Sequence, residues 1–102
     1  MSNAHPEPYK IEHGPDVPKQ IQAIKLIAEQ AGKYQQFVET MEESLRRLQA
    51  DPHGWADPLY HSKHVDAIAC RGLIRPLVFH YVIYEEAHGV VLLSVRLYAT
   101  FA

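Results

Sequence analysis

The sequence predicts an α+β domain in which an N-terminal helical hairpin packs on a small antiparallel sheet formed by the C-terminal part of the chain. Two runs rich in β-branched and aromatic residues, 77–84 and 90–98, flank a short turn, which is the pattern of a β-hairpin. Upstream of them, residues 34–48 repeat apolar side chains at helical spacing. The predicted order is strand, helix, helix, strand, strand, strand. It occupies residues 9–102 as a single domain, behind an extended tail of residues 1–8.

The N-terminal half of the chain should supply one edge strand and two helices. Residues 9–12 alternate in polarity, as a short strand does. Asp16 and Pro18 indicate a helix start, because an acidic side chain can cap the first turn and a proline there loses no helical hydrogen bond. Gly32 is a suitable stop for this helix. The second helix combines an apolar stripe of Tyr34, Phe37, Val38, Met41, Leu45 and Leu48 with outward i,i+4 ion pairs of Glu42 with Arg46 and of Glu43 with Arg47.

Between the second helix and the hairpin, the sequence predicts a loop over 53–64, a strand over 65–71 and a turn over 72–76. We expect Trp55 to pack against the base of the sheet as a core residue. Cys70 lies among apolar neighbours on a predicted buried strand, so we expect a structural rather than a nucleophilic role for its thiol.

Alternation along the hairpin predicts one buried face and one open face. The expected core positions are Leu77, Phe79, Ile83, Val91, Leu93, Val95 and Leu97. We expect Tyr84 to pair with Val90 across the turn. His80 then faces Ser94 on the open side of the sheet and lies diagonal to Arg96. A hydrogen bond between His80 and Ser94 can be purely structural, or it can belong to a functional site.

Composition and charge exclude several classes of protein. The net charge of −2 and the pI of about 6.4 argue against nucleic-acid binding by bulk electrostatics. No apolar run reaches the roughly 20 residues that a membrane-spanning helix needs. The N-terminus lacks the pattern of a secretory leader, and the lone Cys70 cannot form an internal disulfide. We therefore expect a cytoplasmic protein.

A metal site is the next chemistry to consider, because the chain has seven histidines. His61 and His64 are three residues apart, and His53 or His80 could join them as further imidazole ligands. No cysteine or carboxylate pattern completes such a site. We therefore expect neither a metal nor another cofactor.

The element order resembles that of the RelE/ParE toxin superfamily over about residues 9–98. The resemblance rests on an amphipathic helix that ends in Leu-Arg-Arg-Leu-Gln-Ala-Asp-Pro, on the loop with Trp55 and Pro-Leu, and on the terminal hairpin. It implies a bacterial toxin of a toxin–antitoxin pair, of the kind associated with plasmid stabilisation, with an antitoxin as its partner. One branch of the superfamily cleaves messenger RNA on the ribosome, and another inhibits DNA gyrase.

The family pattern includes an Arg at the start of the third strand and an Arg and a Tyr after the last strand. In this sequence Arg75 precedes the hairpin, and Arg96 and Tyr98 fall within the last predicted strand. The resemblance also implies that Lys63 and His64 occupy a loop near the substrate. Arg75, Arg96 and Tyr98 thus differ in position from the corresponding residues of the family pattern. These differences leave open whether the chain is catalytic or only binds a partner.

The residues on the open face suit RNA cleavage by the neighbouring 2′-hydroxyl, which needs a base, a cation for the phosphorane and an acid for the leaving oxygen. We assign the base or acid to His80, the phosphate contact to Arg96, and a stacking or proton-donating role to Tyr98. Lys63, His64 and Arg75 are secondary candidates.

The main alternative is a non-catalytic protein-binding module of the same fold, either a gyrase-directed toxin or an inactive relative. A contiguous basic patch around Arg71, Arg75 and Arg96 would favour RNA as the target. An acidic or apolar patch there would favour a protein partner.

Overall fold

The computed structural model describes residues 7–55, 57–62 and 66–101. Within them the chain forms helices and a single sheet in an α+β arrangement, as the sequence predicted. The helices are α1 (Val17–Gln30), α2 (Tyr34–Ala50) and the short α3 (Pro52–Trp55), and the strands are β1 (Lys10–His13), β2 (Asp57–Ser62), β3 (Ala67–Ile74), β4 (Leu77–Tyr84) and β5 (Gly89–Leu97). None of the helices in these residues is long and apolar enough to cross a bilayer.

The sheet is larger than predicted and is mixed rather than purely antiparallel. Its strand order is β1-β5-β4-β3-β2. β1 pairs parallel with β5, and the other neighbours pair antiparallel. β1 is an edge strand, as expected. The sequence did not predict β2, whose residues are almost all exposed and contain Pro58, and therefore lack the alternation of a half-buried strand.

β3 also extends further than predicted. The residues from Gly72 to Ile74, predicted as part of a turn, continue the pairing with β4. The turn is thus confined to Arg75 and Pro76. The predicted start of the strand at Val65 lies outside the described residues, as do residues 1–6 of the predicted tail.

The core lies between the helices and one face of the sheet. α1 contributes Val17, Ile24 and Ala28, and α2 contributes Phe37 and Leu48. The strands contribute Cys70, Leu77, Phe79, Tyr81, Ile83, Val90, Leu92 and Val95. Burial raises the pKa of the Cys70 thiol, which agrees with a structural role for this residue.

Trp55 packs against this core, as the sequence predicted. Its indole stacks on the ring of Tyr81, with ring centroids 5.8 Å apart, and its Nε1–H donates to the carbonyl of Leu73 at 3.3 Å. Gly72 makes room for the indole, because a Cβ at this position would lie 2.8 Å from the ring. The buried hydroxyl of Tyr81 donates to the carbonyl of Pro52 at 2.6 Å, so α3 is tied to the centre of the sheet.

The face that α2 buries differs from the predicted stripe. Tyr34 and Leu45 are 46% and 40% exposed, whereas Thr40 and Ser44 are buried. The hydroxyl of Ser44 donates to the carbonyl of Thr40 at 2.7 Å, which satisfies it inside the core. The apolar stripe was therefore only partly right, because the small side chain of Ser44 can face the core and leave Leu45 beside the solvent.

The predicted charge pairs of α2 also form only in part. Glu43 accepts from Arg47, as expected, but Arg46 pairs with Glu43 rather than with Glu42. Three- and four-residue spacings both bring side chains together on a helix, so the sequence alone does not decide between the two partners.

The hairpin has the predicted strands, but its register changes once. Tyr84 pairs with Gly89, not with Val90, and this register continues to the pair of Tyr81 with Leu92. A β-bulge follows at Leu93, which is 49% exposed although it was predicted to be a core residue. Val91 was also misplaced, since Val90 and Leu92 are the buried residues on this side of the bulge.

Candidate functional site

The candidate site lies on the face of the sheet opposite to the core. Strand pairing brings Arg71 of β3, His80 of β4 and Ser94 of β5 into one row across this face. In the next row, Val78 of β4 pairs with Arg96 of β5. Paired residues in adjacent strands point to the same side of a sheet. His80, Ser94 and Arg96 therefore share the open face, as the sequence predicted.

The centre of this site is the contact between His80 and Ser94. Ser94 Oγ lies 3.3 Å from His80 Nδ1, and both side chains are half-buried. The hydroxyl donates if Nδ1 is unprotonated and accepts if Nδ1 carries the proton. In either case the contact fixes the plane of the imidazole and leaves Nε2 as the nitrogen available to another group.

Two further candidates gather at one end of the hairpin. Arg75 occupies the turn between β3 and β4, and the backbone N–H of Tyr98 donates to the carbonyl of Pro76 at 2.9 Å. Tyr98 is 48% exposed, and Arg75 and Arg96 are exposed too. The remaining predicted site residues, Lys63 and His64, lie outside the described residues.

The charge of the open face is mixed. Arg71 and Arg96 lie on the strands that flank β4 and are displaced by two residues along the strand direction, so roughly 12 Å separates their Cα atoms. Leu73 and Val78 form a cross-strand pair between the two arginines. Among the described residues, no carboxylate lies within ion-pair distance of either arginine. The face thus combines unpaired cations with the exposed Leu73 and the half-buried Val78, rather than forming one continuous basic patch.

The structure also brings together a titratable cluster that sequence reasoning missed, which we call the turn cluster and define as Tyr9, His53, Glu85 and His88. Glu85 Oε1 accepts from the Tyr9 hydroxyl at 2.7 Å and lies 2.5 Å from His53 Nε2. The ring of Tyr9 stacks on that of His88, with centroids 3.9 Å apart. Tyr9 lies just before β1, His53 lies in α3, and Glu85 and His88 lie in the β4–β5 turn. Because these segments are far apart in the chain, no local sequence motif indicated the cluster.

The turn cluster perturbs two of its members. Hydrogen bonds from His53 and then from Tyr9 hold the pKa of the Glu85 carboxyl below its ordinary value. Burial, together with the hydrogen bond to Glu85, raises the pKa of Tyr9 to about 12. The cluster fastens the N-terminal edge of the sheet to the hairpin turn, away from the row of His80 and Ser94.

Replacing Glu85 should make stability less sensitive to acid. A carboxyl whose pKa is depressed by folding stabilises the folded state above its unfolded pKa of about 4.3, and this contribution is lost as the pH falls through the folded pKa. We expect Glu85→Gln to lower the melting temperature at pH 7 and to have a progressively smaller effect as the pH falls below the unfolded pKa. Melting curves between pH 7 and pH 2 measure this, with the exposed neighbour Glu86→Gln as control. A difference from the unmodified chain that stays constant over this range would contradict the assignment.

Among the described residues, no group of three or more histidine, cysteine or acidic side chains is arranged to hold a metal ion. His61 Nε2 lies 3.5 Å from Asp66 Oδ1 and is exposed. His64, the other half of the predicted imidazole pair, is outside these residues.

Together, the fold and the site define a class: a small α+β protein whose helices cover one face of a mixed sheet and whose other face presents histidine and arginine side chains. The same fold occurs in the archaeal RelE–RelB complex from Pyrococcus horikoshii OT3. The two chains superpose with a TM-score of 0.59 at 14% sequence identity, over 89% of this chain and 96% of the other. The RelE-like fold implied by the sequence resemblance is thus confirmed. No family model matches the chain, and no curated protein matches it.

Proposed function

We propose that this chain is a RelE-like toxin of a toxin–antitoxin pair and that it cleaves messenger RNA on the ribosome with the open face of its sheet. The observation that carries the proposal is the contact of His80 with Ser94, flanked on the same uncovered face by Arg71 and Arg96. The fold likeness to a chain of the RelE–RelB complex supports the class. Residues 9–102 would act as one domain, in the cytoplasm, where messenger RNA is translated.

The side chains supply what cleavage by an internal hydroxyl requires. With Nδ1 protonated and donating to Ser94 Oγ, His80 Nε2 takes the proton of the 2′-hydroxyl, whose oxygen then attacks the adjacent phosphorus and forms a cyclic phosphate. The bond from phosphorus to the 5′-oxygen breaks, and this oxygen takes a proton from an acid, a role that suits Tyr98. Arg96 stabilises the negative charge that builds up on the phosphate oxygens. Arg75 lies at the same end of the hairpin and can contact the neighbouring phosphate.

An antitoxin is the expected partner, since the similar structure is a complex of RelE with RelB. Leu73 of the open face and Tyr60 of the edge strand β2 are 47% and 66% exposed. A partner chain that covered such apolar groups would gain hydrophobic stabilisation and would exclude RNA from the site.

Expression of the chain in a bacterial host should stop growth by blocking translation, and coexpression of a cognate antitoxin should restore growth. The direct measurement is the mapping of new 5′ ends inside the coding regions of ribosome-bound messages. Intact messages in a growth-arrested culture would contradict the endonuclease, and unaffected growth at full expression would contradict the toxin.

The second candidate is the non-catalytic module, and the mixed character of the open face favours it over a purely electrostatic RNA binder. The apolar pair of Leu73 and Val78 lies between Arg71 and Arg96. Surfaces that bind proteins commonly combine apolar and charged side chains in this way. Growth arrest with intact messages and inhibited gyrase would identify a gyrase-directed toxin. Growth arrest with neither cleaved messages nor inhibited gyrase would indicate another protein target.

A further inference from the structure

The position of the candidate site depends on the β-bulge at Leu93. Before the bulge, the register of β4 with β5 runs from Tyr84 and Gly89 to Tyr81 and Leu92. If that register continued, His80 would pair with Leu93. The side chains of β5 after Leu93 would then lie on the opposite faces of the sheet from those observed. A one-residue slip transfers every following side chain to the other face of a sheet.

The consequence for the site residues is direct. In the continued register, Ser94 would pair with Phe79 and Arg96 with Leu77, and both partners are completely buried. The hydroxyl and the guanidinium would then enter the core instead of lying beside His80. The extra residue at Leu93 is therefore what brings Ser94 and Arg96 to the open face.

Two hydrogen bonds to the backbone of β5 hold this strand, one on either side of the bulge. The N–H of Gly14, in the loop after β1, donates to the carbonyl of Leu92 at 2.9 Å. The N–H of Val95 donates to Oε1 of Gln20 in α1 at 2.8 Å. β1 pairs with β5 only from Gly89 to Leu92, so beyond Leu92 this strand gives Val95 no carbonyl to bond.

Gln20 thus occupies the place of a missing strand neighbour. A backbone N–H can only donate, so the carboxamide must present its oxygen to Val95. The Gln20 side chain is half-buried, and α1 is fixed against the core by Val17 and Ile24 on neighbouring turns. The helix therefore sets where β5 resumes its pairing after the bulge.

We propose that Gln20 is a positioning residue that holds β5 in the shifted register and thereby places Ser94 and Arg96 beside His80. Its effect on RNA cleavage rests on the proposed function above, whereas its effect on the geometry of the hairpin does not.

The test compares Gln20→Leu, which has a similar size but no acceptor, with Gln20→Glu, which keeps an acceptor oxygen. Gln22→Leu is the matched control, since Gln22 is exposed on the same helix. The measurements are amide hydrogen exchange at Val95 and through-space NMR contacts between the His80 ring and Ser94. Loss of a hydrogen bond should speed exchange at Val95 roughly tenfold in Gln20→Leu. The His80–Ser94 contacts should weaken in Gln20→Leu. They should keep their unmodified strength in Gln20→Glu and in Gln22→Leu.

Unchanged Val95 protection and unchanged His80–Ser94 contacts in a folded Gln20→Leu variant would overturn the proposal. If Gln20→Leu does not fold, amide exchange at Val95 in the unmodified chain tests the proposal instead. Protection at Val95 equal to that of the β4–β5 ladder supports the role of Gln20, and exchange at the rate of an unbonded amide refutes it. Growth arrest is recorded for the same variants. An unmodified chain that is not toxic but shows the expected NMR behaviour would contradict the proposed function and leave the positioning role standing.

Discussion

Truncating Phe79 to Ala should lower the free energy of unfolding by about 3–5 kcal/mol, the range for a large aromatic residue removed from a packed core. Phe79 is completely buried on a central strand, and its ring centroid lies 5.5 Å from that of Trp55. The substitution removes the transfer free energy of the ring and leaves a cavity that the surrounding strands cannot close. Chemical denaturation of the unmodified and substituted chains measures the difference.

Leu93→Ala is the informative comparison, because alternation in the sequence assigned both residues to the core. Leu93 is 49% exposed in the bulge, so its truncation should change stability by only about 0.5 kcal/mol. A loss of several kcal/mol at Leu93, or a near-neutral result at Phe79, would contradict the arrangement of the β4–β5 pair.

Replacing His80 or Arg96 by Ala should abolish growth arrest while the protein remains folded. Loss of a general acid or base costs typically 10²–10⁴-fold in rate, and loss of the phosphate contact should have an effect of similar order. Neither residue belongs to the buried core, and the hydrogen bond of His80 to Ser94 contributes roughly 1 kcal/mol to stability. Growth curves, mapped cleavage ends and melting curves of the same variants provide the measurements.

Arg47→Ala is the matched control for the loss of a cation. Arg47 lies on α2 and pairs with Glu43 at the surface, an interaction worth at most about 1 kcal/mol. This variant should stay toxic. If His80→Ala and Arg96→Ala also stay toxic, the open face is not the catalytic site. If both unfold, the residues form a structural unit of the sheet.

Local sequence patterns were sufficient for the elements whose interactions are short in range. The run of residues 77–84 predicted the limits of β4, and its alternation predicted the buried Leu77, Phe79 and Ile83 but missed the buried Tyr81. Pro18 and Gly32 marked the two ends of the first helix, because each of these residues has a strong conformational preference of its own. The proline suits the first turn, and Gly32 adopts a φ of 71° just beyond the last turn, where other residues are strained.

The candidate site was predicted only in part. Its central pair was predicted correctly because two differences between the assumed and the observed register of β4 with β5 offset each other. The pairing of His80 with Ser94 was correct, but the assumed pairing of Tyr84 with Val90 was wrong. The turn sets a register one residue away from the assumed one, and the bulge at Leu93 restores the assumed register before Ser94 is reached. The prediction therefore placed the polar residues correctly and misplaced the apolar residues before the bulge.

By itself, the sequence determined the two long helices, the existence of β1, β3, β4 and β5, and the presence of histidine and arginine on the last hairpin, because these depend on periodicity within short segments. The tertiary structure alone decided which face of α2 is buried, the formation of β2, the turn cluster and the register of β5. Each of these depends on groups far apart in the chain, such as Glu85 with Tyr9 and Val95 with Gln20. Such contacts form only when the whole chain has packed, so no local pattern of residues specifies them.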